Sequence, residues 1–109
     1  TAEQVESDWL KAGKPQVILA PQQIVDCDNQ DDGCNGGDTV TAYAYVKRAG
    51  GLDTESTYPY KAEDGRCDFK KKDVGASIEG YTMISSKKAE ETTKMVTYVA
   101  NEGPVSVCL

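Results

Sequence analysis

Apolar residues near the start of the chain fall at Ala2, Val5, Trp9 and Leu10, three and four positions apart, which puts them on one face of a helix. Gly13 is placed to cap that helix at its C-terminus. Because the pattern begins with the first residues, the helix is expected to start upstream of Thr1. Pro21 suits the first turn of a second, short helix over 22–26, where its missing N–H would be unpaired anyway. From 26 to 37 Asp, Asn and Gly dominate, residues that turn the chain and admit positive φ. Helical spacing returns over 38–49. Asp38 can cap this third helix, Val40, Tyr43, Ala44 and Lys47 keep its period, and Gly50-Gly51 stops it.

Residues 52–68 read as loop, with Tyr58-Pro59-Tyr60 held extended by the proline. A strand is predicted over 74–84, bent or bulged at Gly80. A last helix starts at Ser86, turns Thr92, Met95, Val96, Val99 and Ala100 inward, and ends at Gly103-Pro104. The alternation from Val105 to Leu109 reads as a strand interrupted by the end of the chain, so the sequence is expected to be an internal piece of a longer protein. Helices first and strands later make an α+β chain.

Composition narrows the function classes. The apolar share of 39% and charged share of 28% are those of a folded soluble domain, and 109 residues suffice for one small one. A net charge of -6 counts against nucleic acid as a partner, since phosphate binding needs a basic face. The basic run Lys70, Lys71 and Lys72 is followed by Asp73 and reads as solvated surface. No stretch approaches the roughly 20 apolar residues that span a membrane, so no membrane partner is expected. Six, 32 and 40 residues separate Cys27, Cys34, Cys67 and Cys108, none the short spacing of a zinc site, and the chain has no His. No metal is therefore expected. A redox C-x-x-C is also lacking. Disulfides formed in an oxidising compartment, or free buried thiols, remain open.

Three ordered stretches carry a resemblance. Asp26-Cys27-Asp28 followed by Gly33-Cys34-Asn35-Gly36-Gly37 resembles the D-C-D…G-C-N-G-G signature of papain-like cysteine proteases. Gly50-Gly51-Leu52-Asp53-Thr54-Glu55 through Tyr58-Pro59-Tyr60 resembles a segment typical of cathepsin L-like members, and Gly103-Pro104-Val105-Ser106-Val107 resembles a strand of the same family. The resemblance implies the papain-like fold: most of the helical left domain over 1–76, then a crossover and the first strands of the right β-barrel domain over 77–109. Thr1 resembles the small hydroxyl residue that follows the nucleophile's Cys-Trp-Ala-Phe, so the catalytic Cys is expected upstream. The partner His and orienting Asn are expected beyond Leu109. A Cys–His protease needs an imidazole to draw off the thiol proton. With none of the three catalytic residues, the 109-residue chain alone is expected to be inactive.

The resemblance also assigns a substrate groove. Gly36 and Gly37 either let the loop turn or, as in the family, leave bare backbone where the second glycine pairs with the P2 residue of an extended peptide. Asp38 and Thr39 match positions of the S2 pocket, though Asp38 reads first as a helix cap and can serve as both. Cys108 matches another S2 position, or is a small buried hydrophobe. Asp32 either rims S3 or is a solvated loop acid. An Asp38-Thr39 wall is polar where cathepsin L-like pockets are usually apolar, so smaller or basic P2 residues are expected to be accepted. Cys27 is expected to pair with Cys67, and Cys34 with a cysteine upstream of Thr1.

The whole protein is thereby expected to be a secreted or lysosomal/vacuolar endopeptidase, made as a zymogen, monomeric and without a cofactor. Its expected partners are peptide or protein substrates and a propeptide or cystatin-type inhibitor. A catalytically inactive homologue that binds peptide or inhibitor, and an independent disulfide-rich interaction domain, are the competing readings.

Overall fold

A computed structural model describes residues 1–85 and 91–109. The first helix, α1 (Ala2–Lys11), ends in a Schellman arrangement: Gly13 at φ 83° donates to the Leu10 carbonyl, and the Lys14 N–H reaches the Trp9 carbonyl. Helix α2 spans Pro21–Cys27, one residue longer at each end than its sequence signal. Helix α3 runs Thr39–Ala49 and is capped at both ends as the sequence indicates. The Asp38 carboxylate accepts from the Val40 N–H at 2.7 Å, and Gly50 takes the left-handed conformation.

The core gathers Ala2 and Val5 of α1, Leu19, Cys27 of α2, and Tyr45 and Val46 of α3 around Leu52 and Ala76. The last two belong to strands β1 (Leu52–Asp53) and β2 (Val74–Ala76), which pair antiparallel with Leu52 opposite Ala76 and an irregularity beside it. Residue 51 must be glycine here: at φ 136° its backbone lies so close to β2 that a Cβ would stand 2.5 Å from the Ala76 carbonyl oxygen. Segment 18–20 runs along the other side of β1. Ala20 N–H donates to the Asp53 carbonyl and Glu55 N–H to the Ile18 carbonyl, each at 2.9 Å.

Helix faces and strand extents depart from the sequence pattern at several points. On α1, Leu10 is 54% exposed, one step beyond the face that Val5 and Trp9 turn to the core. On α3 the buried positions are Ala42, Tyr45 and Val46, while Lys47 is exposed. The stretch 52–68 contains β1 rather than loop alone. The strand predicted over 74–84 stops at Ala76, where its partner β1 ends; alternation cannot make a strand without a neighbour to bond. For the same reason residues 105–109 form no ladder among the described residues.

Helix α4 spans Thr92–Asn101; its expected start at Ser86 lies outside the described residues. Met95 and Tyr98 are its half-buried positions, whereas Val96 and Val99 of the expected inner stripe are more than half exposed. An exposed ion pair, Lys11 Nζ to Glu102 Oε2 at 2.7 Å, links the ends of α1 and α4, a contact of little stability in water.

Candidate functional site

The loop between α2 and α3 makes one short 3-10 turn, Gly33–Asn35, and then opens into two exposed glycines. Gly36 stands at φ 122°, and its carbonyl accepts from the Asp32 N–H at 2.9 Å. At Gly37 a Cβ would come within 2.5 Å of the Asp31 carboxyl carbon. Among the described residues the Gly37 N–H and C=O carry no hydrogen bond. They form a short stretch of free backbone edge at the surface. Asp32 is exposed beside this turn.

Asp38 and Thr39 follow at the start of α3 and border a cavity of about 900 Å³. Cys108 lies across it, its Sγ 3.9 Å from Thr39 Oγ1. Cys108 is exposed, so the buried-hydrophobe alternative fails. Tyr81, Met83 and Tyr98 add apolar wall. Two residues that the sequence did not mark for a site shape the cavity. Tyr43 of α3 donates to or accepts from Ser106 Oγ at 2.6 Å and stacks on Tyr81 with ring centroids 5.9 Å apart. Burial pushes the Tyr43 phenol up, against the opposing Ser106 hydrogen bond, so it stays neutral and able to donate. Tyr43 has a helical-spacing signal; Tyr81 sits in irregular chain and has none. Gly36 and Gly37 do not line the cavity but precede it on the same loop.

The turn is buttressed from behind. Cys27 and Cys67 form a disulfide with Cα atoms 4.8 Å apart, as the resemblance implied. Tyr58 packs against it: its hydroxyl donates to Asp26 Oδ2 at 2.8 Å and accepts from the Asp68 N–H at 3.1 Å. Burial, together with the Asp26 hydrogen bond, pushes the Tyr58 phenol up to about 12. Asp64 accepts from the Cys34 N–H at 2.8 Å. Cys34 itself is an exposed thiol, pushed up by desolvation and the Asp64 carboxylate. That is the opposite of the electropositive setting that makes a cysteine nucleophilic. With no histidine in the chain, neither free cysteine has an imidazole base. Among the described residues no three Cys, Asp or Glu converge as a metal site, and no helix is long and apolar enough to cross a membrane.

The profile of the papain family of cysteine proteases matches residues 1–109. The chain belongs to that family. Its relatives include Cathepsin L1 of Drosophila melanogaster, 44% identical over 96% of this chain and 28% of that protein. The senescence-specific cysteine protease SAG12 of Arabidopsis thaliana is 44% identical over 90% of this chain and 27% of its own length. Among solved structures, digestive procathepsin L2 proteinase from Tenebrio molitor larval midgut superposes with a TM-score of 0.83 at 30% identity, covering 94% of this chain and 32% of that one. The fold is thus papain-like α+β, with cathepsin L-like relatives, and the chain spans about a third or less of the length of each.

Proposed function

We propose that these residues form the helical left-domain part (1–76), with the crossover and start of the right domain (77–109), of a cathepsin L-like cysteine endopeptidase. In that reading the chain supplies one side of the substrate groove. The observation that carries it is the juxtaposition of Thr39 and Cys108, 3.9 Å apart across a cavity that begins beside the free backbone of Gly37. An extended peptide can pair with the exposed Gly37 N–H and C=O as an added strand. Its P2 side chain then points toward Asp38, Thr39 and Cys108.

The chemistry belongs to groups outside these residues: a Cys thiolate attacks the peptide carbonyl, a His protonates the departing amine, and water releases the acyl-enzyme. The groove residues act by holding the scissile bond in line with that thiolate. Cys34, an exposed thiol here, pairs in this reading with a cysteine beyond the chain. Peptide or protein substrates, a propeptide or cystatin-type inhibitor, a monomeric state, and a lysosomal, vacuolar or secreted location follow from the same proposal.

The test is a fluorogenic peptide library varied at P2, turned over by the full-length protein and checked for inhibition by a thiol alkylator. Thiol-sensitive cleavage is expected, with small or basic P2 residues accepted beside Asp38. An undiminished preference for Phe would remove the S2 assignment, and turnover by the 109 residues alone would remove the assignment of catalysis to groups elsewhere.

A further inference from the structure

We infer that Asp28 and Asp31 act as one proton-sharing pair that positions the Gly37 and Asp38 backbone for peptide binding. This rests on the groove reading of Gly37 above. Asp28 closes α2, is 2% exposed, and offers Oδ1 to the Gln30 N–H at 3.2 Å. Its Oδ2 is buried and has no hydrogen-bond partner among the described residues. An ionised carboxylate oxygen left so is costly. Three residues on, the Asp31 N–H bonds the Asp28 carbonyl at 3.4 Å, and the two carboxyls interact. Two carboxylates in contact cannot both stay ionised without penalty, and one proton between them removes it. With that proton on Asp28, its carboxyl becomes an O–H donor and Asp31 the acceptor.

Asp31 is the member that reaches the groove. Its Oδ1 accepts from the Asp38 N–H at 2.9 Å and from the Thr41 hydroxyl at 2.6 Å, and its carboxyl lies directly behind Gly37. It therefore holds the N–H of the peptide bond joining Gly37 to Asp38 and backs the Gly37 Cα. The charges agree with this division. Burial, then the contact with Asp31, hold the Asp28 carboxyl above its usual range. Burial also opposes ionisation of Asp31, but hydrogen bonds from Thr41, Asp28 and the Asp38 N–H outweigh it and hold that carboxyl below. From α3, Arg48 favours ionised Asp28 and the Tyr45 phenol is the other titratable neighbour; Asp38 keeps its carboxylate on the Val40 N–H. Arg48 does not cancel the burial.

The sign of the pH dependence follows. The singly protonated pair persists between the lowered value of Asp31 and the raised value of Asp28, a window that straddles the ordinary carboxylate range. As pH rises through the Asp28 value the pair becomes doubly charged and the Gly37 edge loosens. As pH falls through the Asp31 value, Asp31 loses its strength as an acceptor. KM should rise on both sides.

In the full-length protease, carboxyl ¹³C NMR should show the two groups titrating as a coupled pair, Asp28 high and Asp31 low. Asp31→Ala should raise KM roughly tenfold with kcat little changed, the size of one charge-assisted hydrogen bond lost. Asp31→Asn should restore KM, since its amide oxygen accepts from Asp38 and Thr41 and its NH₂ donates to Asp28, and should abolish the alkaline rise in KM. Should Asp31→Ala fail to fold, the titration and the Asp31→Asn pH profile still decide. Independent titration at ordinary values, or an alkaline rise retained in Asp31→Asn, overturns the inference. A crystal structure with a peptidyl aldehyde judges the groove reading separately. If Gly37 pairs with the peptide yet Asp31→Ala leaves KM unmoved, the pair has no positioning role. If Gly37 does not pair, the groove reading falls and this inference with it, whatever the titration shows.

Discussion

At the scale of single residues, the polar groups inside the core hold more of the architecture than their residue types suggest. Gln23 is fully buried. Its Nε2 donates to the Tyr45 hydroxyl at 3.0 Å and the Gly51 carbonyl at 3.2 Å, and its Oε1 accepts from the Asp53 N–H at 2.6 Å. One side chain thus ties α2 to α3, to the turn after it and to β1. Gln23→Ala leaves those groups without partners in a dry interior, so urea unfolding of the full-length protein should register a loss of about 2–4 kcal/mol. A loss below about 1 kcal/mol would mean that water or a neighbour replaces the amide. Nothing in the sequence marks this glutamine, because hydropathy puts Gln outside and only the assembled fold supplies its partners. The sequence was more legible where a residue's role is local, as at Gly13, Asp38 and Gly50.

At the scale of elements the same contrast holds. Helices announce themselves through caps and period, since their hydrogen bonds are internal. Strands depend on a neighbour, so the alternation over 74–84 and 105–109 overstated what the described residues can pair. The apolar stripe of α4 named a helix correctly but not which residues turn inward, a question of tertiary neighbours. Helix α3 offers a clean test because its N-terminus caps the helix and borders the proposed groove. Asp38→Ala removes the acceptor for the Val40 N–H and should cost about 1 kcal/mol, whereas Asp38→Asn should cost a few tenths, both read by denaturant unfolding. The same pair separates cap from pocket. Asn keeps the cap but loses the charge, so a selective drop in turnover of basic-P2 peptides with Asp38→Asn would assign the carboxylate to substrate. Equal effects on all P2 residues would leave it a cap alone.

At the scale of the molecule, family membership was legible because the motifs stand in order across the whole chain, and no single one decides it. The glycines and the α3 start proposed for a groove were singled out by the same route; the Asp28 and Asp31 carboxyls behind them were not, since a loop of aspartates reads as solvated turn until burial is known. What holds the turn over 33–38 is a chain of supports. Segment 61–68 lacks regular structure, yet Asp64 carries the Cys34 turn, and Gln22 and Asp26 of α2 bond Lys61, Glu63 and Gly65 of that segment. The Cys27–Cys67 disulfide closes this arch across a sequence separation of 40. A loop of that length is worth about 4 kcal/mol in the chain-entropy model. Replacing both cysteines by serine should therefore lower the unfolding free energy of the full-length protein by about that amount. If the arch transmits order to the groove, hydrogen exchange should quicken first at the Gly65 and Cys34 amides and then at Asp38, with the Leu52 amide in the core least changed. Uniform acceleration everywhere would instead assign the disulfide to global stability alone. A loss under about 1 kcal/mol would show that the Gln22, Asp26 and Tyr58 hydrogen bonds hold the arch without it.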